Sequence, residues 1–334
     1  MLRFAVIGTS DITSRFLDAL AGREDAVLYA VYSRSMARAQ ALGASFGAQV
    51  CYDDLEKLAA DEQVDAVYIA SPNSLHFEQA LRMLAAGKHV LCEKPMASTL
   101  RQAQQMFAAA QRSGKVLMEA MRSTYTPGLA VLKGLLEQIG PIRRATIQYA
   151  KYSSRYDLVK QGRPVNIFSR EFSSGALMDL GVYCVHFALE LFGAPSRIRA
   201  AAVSLPCGVD GAGTILAEYD GKLVELLYSK ITDNRLPSQI QGERGSILID
   251  QPDQIEHLSV LWRDGRRREL DISNPPNGMC GELQHFLLRV AGKADGRRET
   301  ARTLDAMQLM DEARRQTGIR FPADVWEPED PRSV

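Results

Sequence analysis

Arg3-Phe4-Ala5-Val6-Ile7-Gly8-Thr9-Ser10-Asp11-Ile12-Thr13 is the stretch on which the fold turns. A short apolar run meets a glycine, two small hydroxyl residues and an aspartate, and a helical pattern begins. Strands buried on both faces of a parallel sheet read as continuous apolar runs rather than alternating ones. The same rhythm recurs downstream, with strands expected at residues 3–7, 27–32, 66–69, 89–92 and 116–119. Helical patterns separate them; Phe77, Ala80, Leu81 and Leu84 share one face at spacings of three and four. Asp53-Asp54 and Ser35 stand where helix N-caps help. Strand and helix in alternation predict right-handed crossovers and a doubly wound α/β sheet.

After about Arg122 the rhythm changes. From Arg144 onward β-rich segments predominate, with Asp-Gly pairs at 210–211, 220–221 and 264–265. Asp-Gly between apolar runs signals a hairpin, because a type I′ turn needs positive φ at both central positions. Residues 217–226, AEYDGKLVEL, are the clearest instance. One helix is expected at 176–191, and two more at 281–291 and 301–317. The last carries Leu304, Met307, Met310 and Ala313 on one face and stops at Gly318. The expectation is an α+β domain with a large, mostly antiparallel open sheet backed by helices. With 334 residues and roughly 150 per domain, the chain divides into a dinucleotide-binding domain at 1–122 and a substrate and oligomerisation domain at 123–334. The tail after Asp324 is expected to be loosely held.

Forty basic and forty acidic side chains cancel, which gives no support to a nucleic-acid binder. At 46% apolar and 24% charged residues a large core can form. No run approaches the ~18 apolar residues of a membrane span, and the first residues enter a strand pattern without a signal-peptide core. Cys51, Cys92, Cys184, Cys207 and Cys280 are odd in number and lack paired spacing. Neither a disulfide framework nor a structural metal site is therefore expected, and a cytoplasmic location is.

Five groups carry the candidate chemistry. Gly8, Thr9, Ser10, Asp11 and Ile12 occupy the place of a dinucleotide fingerprint, where backbone approaches a pyrophosphate at a helix N-terminus. Ser10 and Thr13 replace the later glycines, so an ordinary strand-to-helix turn fits as well. The second strand ends in Tyr32-Ser33-Arg34-Ser35 with Arg38 one turn on, where an NAD enzyme wants a carboxylate. Ser33, Arg34 and Arg38 suit the 2′-phosphate of NADP, with NAD still possible and a solvated arginine as the plainer alternative. Ser71, Pro72, Asn73 and His76 follow a buried strand and either meet the cofactor or cap a helix. Glu93-Lys94-Pro95 also ends a strand, and a lysine there favours the anionic form of a neighbouring hydroxyl. Finally, Asp179, Tyr183 and His186 fall on one face of the helix expected at 176–191. Buried polar groups need partners, so this stripe is either a catalytic face or a hydrogen-bond network at the domain interface.

Together with Glu119-Ala120-Met121, these motifs stand in the order and spacing of a known family. The chain resembles the glucose–fructose oxidoreductase / inositol dehydrogenase / rhizopine-catabolism oxidoreductases along nearly its whole length. The resemblance implies a Rossmann domain, a second domain with an open sheet, and homodimers or homotetramers built through that sheet. It matches Lys94 to the family's catalytic lysine and Asp179 to its substrate-site aspartate. Tyr183 stands where most members carry a catalytic histidine, as in the branch containing dimeric dihydrodiol dehydrogenase. Three positions depart from the pattern: the glycine motif, His186 where many members have Asp or Asn, and Arg122 where that branch tends to carry tryptophan.

The expected activity is hydride transfer between NADP and a hydroxyl or carbonyl carbon of a sugar, sugar derivative or cyclic diol. Tyr183 is the expected acid or base, Lys94 its positive neighbour, and Asp179 either a substrate contact or the lysine's holder. Arg122, Arg170 and His186 complete the expected substrate contacts, alongside Lys94, Asp179 and Tyr183. Two alternatives stand beside this: transient use of the cofactor for epimerisation or glycoside cleavage, and a non-catalytic NADP-sensing regulator.

Overall fold

A computed structural model describes residues 1–324 of the chain. Its first part alternates strand and helix: β1 (Leu2–Ile7), α1 (Asp11–Ala21), β2 (Ala26–Tyr32), α2 (Met36–Phe46), β3 (Val50–Tyr52), α3 (Leu55–Ala60), β4 (Ala66–Ile69), α4 (His76–Ala85), β5 (His89–Glu93), α5 (Leu100–Ser113) and β6 (Leu117–Ala120). All six strands lie parallel in the order β3-β2-β1-β4-β5-β6. The chain winds outward from β1 to β3, then returns to β4 on the other side of β1. The switch point therefore lies between β1 and β4, where strand ends leave a crevice.

The apolar runs are buried on both faces. Phe4 and Val6 pack in one layer, where Phe16 stacks on Tyr68, while Ala5 and Ile7 face the opposite layer. The strand expected at 116–119 runs one residue later, as β6. β3 has no counterpart among the expected strands: its three residues are half-buried at the sheet edge, too short to show a pattern.

The second part follows α6 (Pro127–Leu135) with β7 (Ile142–Ala150), α7 (Tyr156–Lys160), a π-helical turn Leu177–Gly181 leading into α8 (Val182–Phe192), β8 (Arg197–Ser204), β9 (Asp210–Tyr219), β10 (Lys222–Ser229), β11 (Ser238–Gly242), β12 (Gly245–Ile249), β13 (His257–Trp262), β14 (Arg267–Asp271), α9 (Cys280–Val290) and α10 (Arg297–Thr317). Its eight strands run β14-β13-β12-β11-β7-β10-β9-β8. Only β7 and β10 pair in parallel; every other neighbour is antiparallel. One face, with Ile147, Ile215, Val224 and Leu226, joins the core under α8 and α10.

Asp220-Gly221 closes the β9–β10 hairpin, with Tyr219 paired to Lys222 and Gly221 at φ +71°. Asp264-Gly265 joins β13 to β14, with Gly265 at φ +90°. Asp210-Gly211 is not a turn but the start of β9. A Cβ at Gly211 would come within 3.0 Å of Leu205 and Ile231, so this glycine answers a packing demand rather than a positive φ. Buried Asp210 accepts the Leu177 N–H at 2.7 Å and ties β9 to the π turn; burial pushes its carboxyl up to about 6.

The closing helices return to the first sheet. Phe286 of α9 packs 5.8 Å from Phe4, ring to ring. α10 ends at Gly318, at φ +72°. Just before it, buried Arg314 bonds Asp311 and Asp324, each at 2.7 Å, and lies over the Phe321 ring. The expectation for the tail after Asp324 falls outside the described residues.

Candidate active site

A cavity of about 940 Å³ opens where β1, β2, β4 and β5 end, and the second part of the chain supplies its far wall. Ile7 to Ser10, Ile12, Tyr32 to Ser35 and Arg38 form one end. Ala70 to Asn73, His76, Glu93 and Lys94 form the middle, and Arg155, Asn166, Ile167, Phe172, Asp179, Tyr183 and Lys230 close over it.

The first end is shaped for a dinucleotide. Gly8 sits at φ +114°, and a Cβ there would lie 2.5 Å from the Ala70 carbonyl oxygen, so no side chain fits. Ser10 is the N-cap of α1 yet makes no side-chain capping bond, and the helix dipole behind it favours an anion. Asp11 departs from the expectation: it is exposed on the first turn of α1, off the cavity wall, where the same dipole accommodates an acid. Arg34 and Arg38 are exposed at the cavity edge, and neither takes part in an ion pair among the described residues. Among the described residues no carboxylate lines this end of the cavity. The donor set therefore fits a phosphate-bearing ribose.

The middle is braced from within. Asn73 donates to the Ser173 carbonyl at 2.9 Å, joining the loop after β4 to the second part of the chain. His76 is buried with its ring nitrogens 2.9 Å from the Ser71 oxygen and 3.0 Å from the Pro95 oxygen. Burial lowers its pKa, and as a neutral ring it donates to one of the two. The hydroxyl of Ser71 meets Gln79 at 2.7 Å. Glu93 accepts the Tyr68 hydroxyl at 2.6 Å; burial pushes its carboxyl up, against the pull of that bond and of Lys94.

The chemistry gathers where β5, α8 and β10 converge. Lys94 Nζ donates to the Asp179 carbonyl at 2.8 Å and to its carboxylate at 2.9 Å. The other carboxylate oxygen accepts from Lys230 Nζ at 2.6 Å. Burial works against charge on Asp179, but the two lysines outweigh it and hold the carboxyl well below its ordinary range. Lys94 is likewise held protonated despite burial, by Tyr183 whenever that is a phenolate and by the carboxylates of Asp179 and Glu93 throughout. Lys230, 2% exposed, goes the other way: burial lowers its pKa more than Asp179 raises it. Tyr183 lies with Lys94 Nζ 4.8 Å from its ring centroid. Burial raises the phenol's pKa, Lys94 and Arg122 oppose that, and the net direction is upward. The resting site thus holds a protonated tyrosine beside a cation.

Three expected substrate contacts stand elsewhere. His186 is fully buried with Nε2 3.2 Å from Glu119, whose carboxylate accepts the Met96 N–H and the Thr303 hydroxyl. The expected single face is not realised: Asp179 and Tyr183 line the cavity, while His186, three residues after Tyr183 in the same helix, turns its ring into the core toward Glu119. Arg170 donates to the Arg320 carbonyl at 3.0 Å, off the cavity wall. Arg122 is also off that wall; it reaches Asp253 at 2.5 Å, with its guanidinium carbon 5.6 Å from the Tyr183 ring centroid. Lys230 was invisible in the sequence. A lysine at the end of an apolar strand carries no local signal, and its partner lies 51 positions away.

Residues 2–121 match the model of an oxidoreductase family with an NAD-binding Rossmann fold (GFO/IDH/MocA), and residues 133–248 match the GFO/IDH/MocA C-terminal domain. The chain is 46% identical over 326 residues to the scyllo-inositol 2-dehydrogenase (NADP(+)) IolU of Bacillus subtilis (strain 168), covering 97% of this chain and 99% of that one. It is 31% identical over 345 residues to the trans-1,2-dihydrobenzene-1,2-diol dehydrogenase of Mus musculus, again covering 97% and 99%. Among solved structures, KijD10, a 3-ketoreductase from Actinomadura kijaniata in complex with NADP and TDP-benzene, matches with TM-score 0.86 at 25% identity, over 95% of this chain and 98% of that chain.

Proposed function

Because the chain belongs to the GFO/IDH/MocA oxidoreductase family, we propose that its cavity interconverts a hydroxyl and a carbonyl on a sugar, sugar derivative or cyclic diol. Residues 1–122 hold NADP and residues 123–334 hold the substrate. The bound nicotinamide supplies the acceptor or donor for hydride. Gly8 and Ser10 admit its pyrophosphate, and Arg34 and Arg38, with Ser33, hold the 2′-phosphate.

Tyr183 exchanges the proton. In reduction the phenol protonates the forming alkoxide oxygen; in oxidation the phenolate takes the hydroxyl proton. Lys94 stabilises the phenolate, and it is kept charged and aimed by Asp179. Lys230 neutralises the second carboxylate oxygen, so the trio of Lys94, Asp179 and Lys230 keeps one net positive charge beside Tyr183. Ile167 and Phe172 give the roof apolar surface that keeps water from the reacting carbon. The observation that carries this reading is the placement of Lys94 against the Tyr183 ring, in the same cavity as Gly8 and Arg34. A Tyr183 pKa above its ordinary value makes reduction the favoured direction near neutrality and makes oxidation faster as pH rises.

The test is a panel of inositols, aldoses and cyclic diols with NADP and NAD side by side, read by NADPH or NADH absorbance. Net NADPH formation is expected, with NAD the poorer acceptor. Product formation without net absorbance change would favour transient cofactor use, and binding without turnover a sensor. In the same assay Arg34→Ala should raise the KM for NADP about tenfold or more and leave that for NAD nearly unchanged. Equal effects on both cofactors would refute the phosphate role.

The expected homodimer or homotetramer is also proposed here. Support comes from exposed Val203 and Leu223 on β8 and β10 of the open sheet. No helix among the described residues is long and apolar enough to cross a membrane, which is compatible with a cytoplasmic enzyme.

A further inference from the structure

We propose that Arg122 and Asp253 form a positioning pair that holds a second, permanent cation against Tyr183 and sets the pH at which Tyr183 exchanges its proton. This rests on the reading of Tyr183 as acid and base.

Arg122 begins a short helical turn, Arg122–Tyr125, directly after β6. Its guanidinium carbon lies 5.6 Å from the Tyr183 ring centroid, while Lys94 Nζ lies 4.8 Å from the same point. The tyrosine therefore works between two cations delivered by different strands. Arg122 is held in place from behind. One terminal nitrogen meets Asp253 at 2.5 Å, the other meets the Gln254 side chain at 3.4 Å, and the paired side chains are only 12% and 8% exposed. Asp253 also accepts the Tyr149 hydroxyl at 3.1 Å. Tyr149 in turn packs edge-on against Tyr183, ring centroids 5.5 Å apart. Arg122, Asp253, Tyr149 and Tyr183 thus close a circuit of which only Tyr183 lines the cavity.

A buried ion pair is poor evidence of stability, since desolvating both charges offsets their attraction. What this pair provides is a charge that cannot titrate: arginine keeps its proton at every working pH, and its planar fork holds one orientation on a carboxylate. The groups facing Tyr183 are Lys94 and Arg122, which favour the phenolate, and Glu93 and Asp253, which oppose it, with the Asp179–Lys230 pair behind Lys94 and the Tyr149 phenol edge-on to the ring. Removing Arg122's charge and removing Asp253's charge must therefore move Tyr183 in opposite directions.

The test is the pH dependence of the hydride step in single turnovers of the NADP-loaded enzyme with its best panel substrate. Arg122→Gln should move the tyrosine limb about one unit to higher pH, and Arg122→Lys should leave it near wild type. Asp253→Asn keeps an oxygen that can accept from Arg122 but removes the negative charge, and should move the limb to lower pH. Circular dichroism checks that each variant folds. Limbs that stay in place, or that move the same way in Arg122→Gln and Asp253→Asn, overturn the proposal. If Arg122→Gln does not fold, Asp253→Asn decides alone, and a limb that stays or rises overturns it. Tyr183→Phe in the same series separates the two ideas. Turnover that survives with its limb intact sinks the acid–base reading itself. Loss of turnover there, with unmoved limbs elsewhere, sinks only the positioning pair.

Discussion

Tyr183→Phe should lower turnover about 10²–10⁴-fold while changing NADP affinity no more than a few-fold. The substitution removes one oxygen and leaves the ring, which carries most of the packing: Tyr183 is 8% exposed and lies edge-on to Tyr149. Lys94 keeps both bonds to Asp179, so the charge arrangement around the cavity persists. What disappears is the group that gives or takes the proton as hydride moves. Hydride transfer without it leaves an alkoxide in reduction, or must start from a neutral hydroxyl in oxidation. Steady-state turnover and fluorescence titration with NADPH distinguish the outcomes. A loss below about fivefold would move the proton role to another group, with Lys94 the nearest candidate.

Arg314→Met should destabilise the fold by about 3–5 kcal/mol, the range seen when one partner of a buried ion pair is removed. Arg314 is 1% exposed, and its guanidinium meets Asp311 and Asp324, each at 2.7 Å, and the Ser98 carbonyl at 3.3 Å. Asp311 also accepts the Leu100 N–H at 2.7 Å, at the start of α5. Loss of the cation leaves Asp324, whose side chain is 3% exposed, without its charge partner. It also removes the bond from α10 to the Ser98 carbonyl, while Asp311 still holds the Leu100 N–H. Methionine keeps much of the aliphatic volume over Phe321, so the effect reports the charge rather than a cavity. Urea unfolding measures it; a change below about 1 kcal/mol would mean that water or a neighbouring donor replaces the guanidinium. Turnover of the folded fraction should change little, because none of these groups lines the cavity.

Much of the architecture was legible in the sequence because it depends on local rules. Strands buried on both faces must be apolar throughout, so β1, β2, β4, β5 and β6 declared themselves to within a residue or two at each end. Asp220-Gly221 and Asp264-Gly265 were readable because a left-handed turn position selects glycine. Gly8 and the arginines after β2 were legible for the same reason: one is a backbone demand, the other a residue type at a known place in a strand–helix unit. Asp210-Gly211 shows the limit of such rules, since a glycine chosen for packing looks identical to one chosen for φ. His186 shows it again. Helical spacing placed it beside Tyr183, but its ring lies in the core against the carboxylate of Glu119, which comes from β6, 67 positions earlier in the chain.

By itself the sequence determined the two-part architecture, the doubly wound sheet and the residue types bordering the cavity, because periodicity and backbone preference act over a few residues. Only the tertiary structure decided the partners. Lys230 reaches Asp179 across 51 positions and Arg122 reaches Asp253 across 131. A charge in a chain carries no record of its counterion. The reason is physical: the strength of an ion pair depends on distance and burial, and both are set only once the sheets and helices have packed.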